Sequence, residues 1–216
     1  MKALNLAPAL HAYLMQISPE EDPHLKELRL KTDTLKYARL RSPTEQVYFM
    51  MFLLRFLKPK KILEVGTFTG YSTLAIALAC GVDADIITCD INNVFPEVGH
   101  DIWKKAKVSN RISLRLGHAV HTLENLIKED SKFDFVLIDA DKENYIKYFD
   151  MAFSMLTEKG IIMIDNVLWR GEVAVDQTSD RRAQAMREFN SYLANKPKIN
   201  YCLLPIGDGV SLVSKN

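Results

Sequence analysis

The sequence is poor in several features that define particular classes of protein. It has only three cysteines in 216 residues, too widely spaced for a disulfide framework or a cysteine-ligated zinc site. No run approaches the ~20 apolar residues of a membrane-spanning helix. Neither sign of charge dominates, since 28 Lys and Arg face 27 Asp and Glu. These absences argue against a disulfide-rich secreted domain, a membrane protein and a strongly basic nucleic-acid-binding domain.

The start of the chain gives no sign of export. The stretch MKALNLAPALHAYLMQ lacks both a long apolar core and a small-residue cleavage site, so we predict a cytoplasmic location without membrane association. Cys80, Cys89 and Cys202 each stand within an apolar run, which predicts three small buried side chains. With 48% hydrophobic residues, the chain is large enough for one domain with a substantial core.

Apolar runs and helical patterns alternate from residue 60 onward. We predict strands at 60–66, 85–91, 111–117, 133–140 and 160–167, separated by helices near 71–80, 95–107, 119–129 and 143–156. The strands are continuously apolar, as expected for parallel strands covered on both faces. This alternation predicts an α/β fold with a doubly wound, mostly parallel sheet.

The end of the chain departs from this alternation. After a helix near 179–195, strands at 200–206 and 209–215 are separated by Gly207-Asp208, which indicates an antiparallel hairpin. A parallel sheet that ends in such a hairpin is the seven-stranded arrangement of Rossmann-like methyltransferases rather than that of dehydrogenases.

The amino-terminal part differs from the rest in its pattern. Residues 8–57 are predicted to be helical and to end in an amphipathic helix over 44–57. No linker-like composition separates this part from the first predicted strand. We therefore expect a single domain over residues 1–216, in which helices within 1–57 precede a sheet-containing core at 58–216.

The first predicted strand ends in a glycine-containing loop that runs from Glu64 to Ser72. Gly66 and Gly70 allow the backbone to turn tightly and to approach a ligand, and the helix that follows offers free amide groups to an anion. The loop lacks the G-x-G-x-x-G spacing expected for a pyrophosphate. It fits a smaller anion, such as the carboxylate of the methionyl part of S-adenosylmethionine.

The next two strand ends also carry residues suited to a nucleoside. Asp90 ends the second strand, where its carboxylate can accept hydrogen bonds from both ribose hydroxyls. Gly117-His118-Ala119 follows the third strand and is placed to line an adenine ring. The alternatives are that His118 is an ordinary loop residue and that Asp90 caps a helix. The features together predict a nucleoside-bearing cofactor.

Oxygen ligands follow the fourth and fifth strands. Asp139 ends one of them, and Asp165 and Asn166 end the other. Two carboxylates and an amide oxygen form a hard ligand set that suits Mg²⁺, Mn²⁺ or Ca²⁺ and suits zinc or copper poorly. The alternative is that these aspartates cap the helices that follow. The adjacent Asp165-Asn166 pair favours the metal site.

Lys142 follows Asp139 by three residues, about one helical turn. A protonated ammonium has no lone pair and cannot ligate a metal. A nearby cation favours the neutral amine by repulsion, so we predict that Lys142 is a general base. A metal would also acidify a bound phenolic hydroxyl, whose oxygen would then attack the sulfonium methyl group in line. The alternative is an ordinary surface lysine.

The motifs together resemble those of class I S-adenosylmethionine-dependent O-methyltransferases, in particular the bacterial relatives of caffeoyl-CoA and catechol O-methyltransferases. The similarity runs from about Ser42 to the end of the chain. It rests on LEVGTFTGYSTLAIALA, TCDIN, LRLGHA, FDFVLIDADKENY, GIIMIDNVLWRG and LPIGDGVSL. It covers most of the predicted core in order, which makes it specific.

The resemblance implies an activity and a set of site residues. It implies a homodimer, with the 1–57 helices contributing to the acceptor side and to dimer contacts. Lys142 would be the catalytic base, and Trp169 and Asp208 would face the acceptor. The metal would be held by Asp139, Asp165 and Asn166, and the cofactor by Glu64, Gly66, Thr67, Ser72, Asp90, Ala119, Asp139 and Asp141.

Two segments depart from the family pattern. Glu45-Gln46 is followed by Val47-Tyr48 where the family commonly has Gly-Gln, in a segment that borders the cofactor and the acceptor. In NVFPEVGHDIW, Pro96 and Gly99 stand where a continuous helix is expected.

Three functions are compatible with these motifs and differ on the acceptor side. The first is methylation of a small aromatic acceptor with neighbouring hydroxyls, such as a catechol or hydroxycinnamate. The second is methylation of a hydroxylated uridine in transfer RNA, with phosphate contacts from Lys58, Lys60, Lys61, Lys104, Lys105, Lys107 and Arg111. The third is cofactor binding without catalysis, against which the intact set of Asp139, Lys142, Asp165 and Asn166 argues.

Overall fold

The computed structural model describes residues 8–216. Three helices come first: α1 (Pro8–Ile17), α2 (Pro23–Asp33) and α3 (Thr44–Leu57). Strands and helices then alternate as β1 (Lys61–Val65), α4 (Tyr71–Ala79), β2 (Asp85–Asp90), α5 (Pro96–Lys105), β3 (Ile112–Leu116), α6 (Ala119–Lys128), β4 (Phe133–Ile138), α7 (Tyr145–Ser154) and β5 (Leu156–Asp165). The chain ends with α8 (Arg181–Ala194), β6 (Ile199–Leu204) and β7 (Val210–Lys215).

The seven strands form one sheet in the order β3-β2-β1-β4-β5-β7-β6. The pairs among β1 to β5 are parallel, whereas β7 lies antiparallel to both β5 and β6. The predicted Rossmann-like, doubly wound sheet with a terminal hairpin is therefore confirmed. The strand order reverses between β1 and β4, and ligands in open α/β sheets bind at such a point, beyond the carboxyl ends of the strands.

The core lies on both faces of the sheet, as the apolar strands predict. One cluster contains Leu54, Leu74 and Ile102 from α3, α4 and α5. The other contains Phe149 and Phe189 from α7 and α8. Because both faces are covered, the central strands can be apolar throughout.

The amino-terminal prediction was too coarse, since residues 8–57 do not form continuous helix. The chain leaves helix after α1, and the Asp22 carboxylate caps the start of α2 by accepting a hydrogen bond from the His24 N–H at 2.8 Å. A short 3₁₀ turn at Ala38–Leu40 is the next helical element before α3. Helix α3 ends where Lys58 adopts a left-handed backbone at φ 50°, just before Pro59.

Pro96 and Gly99 do not interrupt α5. Proline occupies the first turn, where its missing N–H costs no hydrogen bond. A Cβ at Gly99 would lie 2.3 Å from the Thr69 carbonyl oxygen. The glycine therefore lets α5 pack directly on the loop that follows β1.

The cysteine prediction was correct only in part. Cys89 is buried and Cys80 is half-buried, but Cys202 is exposed. Cys202 lies on β6, which is at the edge of the sheet and in which half-buried and exposed residues alternate from Ile199 to Cys202. Within residues 8–216, no helix is long and apolar enough to cross a membrane.

We predict that Gly99→Ala destabilises the fold despite the higher helix propensity of alanine. The new methyl group would overlap the Thr69 carbonyl, and overpacking of this kind costs about 1–3 kcal/mol. Urea unfolding followed by circular dichroism measures the change. Asp101→Ala, at a side chain that is 79% exposed on the same helix, should stay within about 0.5 kcal/mol of wild type. Equal stability of Gly99→Ala and wild type would contradict the close packing.

Candidate active site

Backbone hydrogen bonds bring the predicted strand ends together at one edge. The Asp139 N–H donates to the Val65 carbonyl at 2.8 Å, and the Gly66 N–H donates to the Cys89 carbonyl at 3.0 Å. The Gly117 N–H likewise donates to the Asp90 carbonyl at 2.9 Å. The ends of β1, β2, β3 and β4 are therefore continuous with one another, and β5 pairs with β4 beside them.

The loop after β1 requires glycine at two positions. Gly66 has φ 105°, and a Cβ there would lie 1.9 Å from the Asp139 carbonyl oxygen. Gly70 has φ 74°, and a Cβ there would lie 2.2 Å from the Trp103 ring. Gly70 is the N-cap of α4, and among residues 8–216 no side chain caps that end, so its first amide groups, including that of Ser72, remain available to an anion.

Glu64 is fully buried beneath this loop. Its Oε2 accepts hydrogen bonds from the Thr73 hydroxyl and, at 2.6 Å, from the Thr88 hydroxyl, which also pairs with Thr67 at 2.6 Å. Its Oε1 has no hydrogen-bond partner among residues 8–216. Burial raises the pKa of Glu64 to about 7, and the hydrogen bonds from Thr73 and Thr88 only partly offset that effect.

Asp90 is tied to the same loop. Its Oδ2 accepts the Phe68 N–H at 2.8 Å, and Phe68 has a left-handed backbone at φ 49°. The Phe68 ring packs on Phe95, with centroids 5.0 Å apart. Ala119 begins α6 just beyond, after His118. The predicted nucleoside residues therefore lie at adjoining strand ends.

Lys142 connects the ends of β4 and β5. Its Nζ donates to Asp139 Oδ1 at 3.1 Å, to Asn166 Oδ1 at 2.6 Å and to the Tyr145 hydroxyl at 2.5 Å. The side chain is only 7% exposed, so the alternative of a surface lysine is wrong. The alternative that Asp139 caps a helix is not supported, because its carboxylate contacts Lys142 and Asp141 takes the N-cap position of the next turn.

Asp165 is buried beside this group. Its Oδ1 accepts the Asn166 N–H at 2.5 Å, and its Oδ2 lies 3.5 Å from the Ser42 hydroxyl. Burial, followed by the charge of Asp139, raises the pKa of Asp165 to about 7, and Lys142 acts in the opposite direction. Asp139 forms the ion pair with the buried Lys142, and the charges of both residues act on Asp165.

The side chains fit a cation ligand set of the predicted kind. Asp139 Oδ1 and Asn166 Oδ1 both accept hydrogen bonds from Lys142 Nζ. Asp165 lies close enough to Asp139 for the Asp139 charge to raise its pKa. Within residues 8–216, no group of three or more His, Cys, Asp and Glu side chains is arranged to hold a metal ion. The predicted set contains only two such side chains, with the third oxygen coming from an amide.

The remaining predicted residues lie around this centre. Asp141 is exposed and accepts a hydrogen bond from the Tyr148 hydroxyl at 2.5 Å. The Trp169 ring centroid is 5.8 Å from Lys142 Nζ, and its indole N–H donates to Asp180 at 2.8 Å. The Asp208 carboxylate accepts the Arg170 N–H and therefore supports the Trp169 turn.

Three residues at the site were missed by the sequence patterns. Ser42, just before α3, lies 3.5 Å from Asp165, too far along the chain for a local pattern to reveal, and Gln46 at the start of α3 lowers the pKa of Asp165. Tyr145 contacts Lys142 from three residues away, and that helical spacing was a usable signal. Burial and the charges of Asp139 and Asp165 raise the pKa of Tyr145 well above its usual value.

We predict that the stability of Glu64→Gln relative to wild type rises between pH 5 and pH 8. The unfolded carboxyl ionises near 4.5 and the folded one near 7, so wild type loses stability as the pH rises between these values. The loss totals about 3 kcal/mol and is absent from the variant. Urea unfolding of the cofactor-free proteins across this range measures it. A stability difference that does not change with pH would contradict the buried, protonated Glu64.

Comparison with known proteins identifies the family. Residues 15–216 match the O-methyltransferase family. A caffeoyl-CoA O-methyltransferase from Petroselinum crispum is 38% identical over 223 residues, covering 98% of this chain and 92% of that one. Catechol O-methyltransferase domain-containing protein 1 from Mus musculus is 37% identical over 208 residues, covering 95% of this chain and 79% of that one.

Solved structures agree with this relationship. The SAH-bound methyltransferase PaMTH1 from Podospora anserina superposes with a TM-score of 0.88 at 29% identity, covering 100% of this chain and 98% of that one. An O-methyltransferase from Bacillus cereus in complex with SAH gives a TM-score of 0.87 at 26% identity, covering 96% and 97%. The chain belongs to the O-methyltransferase family and is an S-adenosylmethionine-dependent O-methyltransferase.

Proposed function

We propose that this enzyme methylates a hydroxyl oxygen of a small aromatic acceptor with two neighbouring hydroxyls, with the help of a divalent metal. The observation that carries the proposal is the buried group in which Asp139 and Asn166 hold the Lys142 amino group beside Asp165. Oxygen ligands for a metal and a lysine able to take a proton stand together at the ligand edge of the sheet.

We assign cofactor binding to Glu64, Gly66, Thr67, Ser72, Asp90, Ala119, Asp139 and Asp141. Glu64 supports the assignment because its unpartnered Oε1 and raised pKa would both be relieved by a nearby cation, such as the methionyl ammonium. The free amide groups at the start of α4 suit the methionyl carboxylate. Asp90, at the end of β2, suits the ribose hydroxyls.

Asp139, Asp165 and Asn166 would hold the metal, with Mg²⁺ the first candidate and Mn²⁺ or Ca²⁺ the alternatives. Carboxylate and amide oxygens are the ligands that these cations prefer. A bound divalent cation would lower the pKa of the acceptor hydroxyl and orient its two oxygens.

Lys142 is the proposed proton acceptor. Its amino group, when neutral, takes the hydroxyl proton at Nζ while the acceptor oxygen bonds to the methyl carbon and the carbon–sulfur bond breaks. In the structure this amino group donates hydrogen bonds to Asp139, Asn166 and Tyr145, of which only the Tyr145 oxygen lies outside the proposed metal ligand set. The Trp169 ring, 5.8 Å from Nζ, would flank the aromatic acceptor and fix its orientation. Asp208 would act through the Trp169 turn.

The amino-terminal helices would complete the acceptor side. Tyr48 lines a cavity of about 440 Å³ together with Arg41, Pro43 and residues of α1 and α2. Ser42, next to Arg41 in the chain, lies 3.5 Å from Asp165, although the proposed metal ligands do not themselves line this cavity. Val47 is buried in the core. The Val47-Tyr48 departure from the family pattern therefore bears on the acceptor pocket through Tyr48 alone.

A small-molecule acceptor is favoured over transfer RNA. The relatives include proteins named for caffeoyl-CoA, for a catechol and for tricin. Of the seven basic residues considered for phosphate contacts, Lys60, Lys61, Lys104 and Lys105 form ion pairs with acidic side chains, and Arg111 donates to backbone carbonyls. The four lysines are therefore solvated and paired with neighbouring carboxylates.

The exposed face of α3 supports the homodimer. Phe52 and Phe56 stand one helical turn apart and are 71% and 79% exposed. Large apolar side chains exposed side by side commonly mark a contact with another protein. We therefore propose that α3 contributes to contact between two copies of the chain.

We expect the purified enzyme, given S-adenosylmethionine and Mg²⁺, to methylate catechol or caffeate, and EDTA to abolish turnover. Asp165→Asn should remain folded, as judged by circular dichroism, and lose about 100-fold of the turnover, because it removes a proposed ligand charge. Asp101→Asn, at an exposed position, is the control. Product formation is followed by mass spectrometry. Turnover unchanged by EDTA would contradict the metal, and failure with every catechol would contradict the acceptor class.

We also expect the double variant Phe52→Glu, Phe56→Glu to be a monomer of 24.6 kDa while wild type sediments at twice that mass. Charges at these positions would make burial of the α3 face unfavourable. Analytical ultracentrifugation distinguishes the two states. Val82→Glu, at a side chain 90% exposed outside the helices, serves as control and should remain dimeric. A monomeric wild type would refute the dimer.

A further inference from the structure

Tyr145 is a buried polar residue that the proposed chemistry uses only as a hydrogen-bond acceptor for the Lys142 amino group. It is the first residue of α7 and only 1% of its surface is exposed. Its ring meets Phe189 edge-on with centroids 5.6 Å apart, within the core cluster beneath α7 and α8. Packing of this density fixes the ring, so the position of the hydroxyl is set by the core rather than by the site.

The hydrogen bonds of the Tyr145 hydroxyl have a defined direction. It lies 3.3 Å from the Asp165 backbone carbonyl, which can only accept. The phenolic hydrogen therefore points to that carbonyl, and an oxygen lone pair faces Lys142 Nζ at 2.5 Å. The amino group of Lys142 is the donor in this contact.

Tyr145 differs from the other two contacts of Lys142 in one respect. Asp139 and Asn166 belong to the proposed metal ligands, so a bound cation and the amino group draw on the same two oxygens. The phenol oxygen is not in that ligand set. Among residues 8–216, the Tyr145 oxygen is therefore the hydrogen-bond acceptor of Lys142 Nζ that a bound metal would not occupy.

We propose that Tyr145 is a positioning residue that holds the Lys142 amino group beside the acceptor and draws it away from the metal ligands. The proposal rests on the proposed function of Lys142 and of the Asp139, Asp165 and Asn166 set. The phenol takes no proton from the acceptor. It fixes the position of Nζ during the proton transfer. A displacement of about 1 Å from such a position can lower the rate about 100-fold.

The chain contains a matched control for this interaction. Lys196 Nζ donates to the Tyr192 hydroxyl at 2.5 Å and lies 4.6 Å from the centre of its ring, much as Lys142 does at Tyr145. This second pair lies on and just after α8, where it contacts Asp150 at the surface. Tyr192→Phe therefore removes the same kind of hydrogen bond away from the site.

The test compares Tyr145→Phe, Tyr192→Phe and wild type in steady-state methylation of a catechol. Phenylalanine keeps the ring that packs on Phe189 and removes only the hydroxyl. We expect Tyr145→Phe to lower kcat about 100-fold with both KM values within about twofold of wild type. Tyr192→Phe should change neither. Thermal unfolding of both variants verifies that the folded fraction is unchanged.

A second measurement separates positioning from a structural role without turnover. In Tyr145→Phe the amino group keeps only the Asp139 and Asn166 oxygens, so it should compete with a metal for them more strongly. Calorimetric titration with Mn²⁺, without cofactor or acceptor, should then show about tenfold weaker binding, the equivalent of one hydrogen bond. Tyr192→Phe should bind Mn²⁺ as wild type does.

The outcomes separate this proposal from the proposed function. If wild type methylates no catechol, the acceptor assignment fails, and Mn²⁺ titration still decides the role of Tyr145. If wild type is active, the role of Tyr145 is overturned by a Tyr145→Phe kcat within twofold of wild type. An Mn²⁺ affinity of Tyr145→Phe equal to that of wild type also overturns it. So does a loss of kcat that is fully explained by a smaller folded fraction of the variant.

Discussion

The backbone at Gly66 passes so close to the Asp139 carbonyl that a Cβ would lie 1.9 Å from its oxygen. This approach joins the ends of β1 and β4, the neighbours at which the strand order reverses. Because of it, the glycine loop and the Lys142 group occupy adjoining positions rather than opposite ends of the sheet. A methyltransferase needs that proximity, since its methyl donor and its acceptor oxygen must meet in line.

The site buries two carboxyl groups at an electrostatic cost. Glu64 and Asp165 are both buried, and burial raises the pKa of each to about 7. Desolvation of a carboxylate is unfavourable unless a cation or several donors compensate for it. Lys142 compensates near Asp165, whereas Glu64 Oε1 has no partner among residues 8–216. The ligands that relieve these costs are cationic, which agrees with a sulfonium cofactor that carries an ammonium group.

The fold was predictable where hydrophobic periodicity is strong. The continuously apolar strands from β1 to β5 and the Gly207-Asp208 hairpin were placed correctly to within a few residues. The amino-terminal region was not, because Asp22 with Pro23 starts a new helix within a stretch whose apolar spacing continues. Residue 156 was assigned to a helix, but it begins β5, since the start of that strand pairs with Phe133 across a shift in register. Pairing within the sheet therefore decides the structure of residue 156, against its local helical pattern.

The sequence by itself determined which residues stand at the carboxyl ends of the strands, because a run of apolar residues shows where each strand stops. It also determined the family, through motifs that follow those strands in order. Only the tertiary structure decided that Ser42 reaches Asp165 across 123 positions and that Lys142 is buried against Tyr145 and Asn166. Such contacts depend on how α3, α7 and β5 pack, and packing brings together residues that share no local pattern. The tertiary structure therefore decided how the predicted residues are arranged, and which unpredicted ones support them.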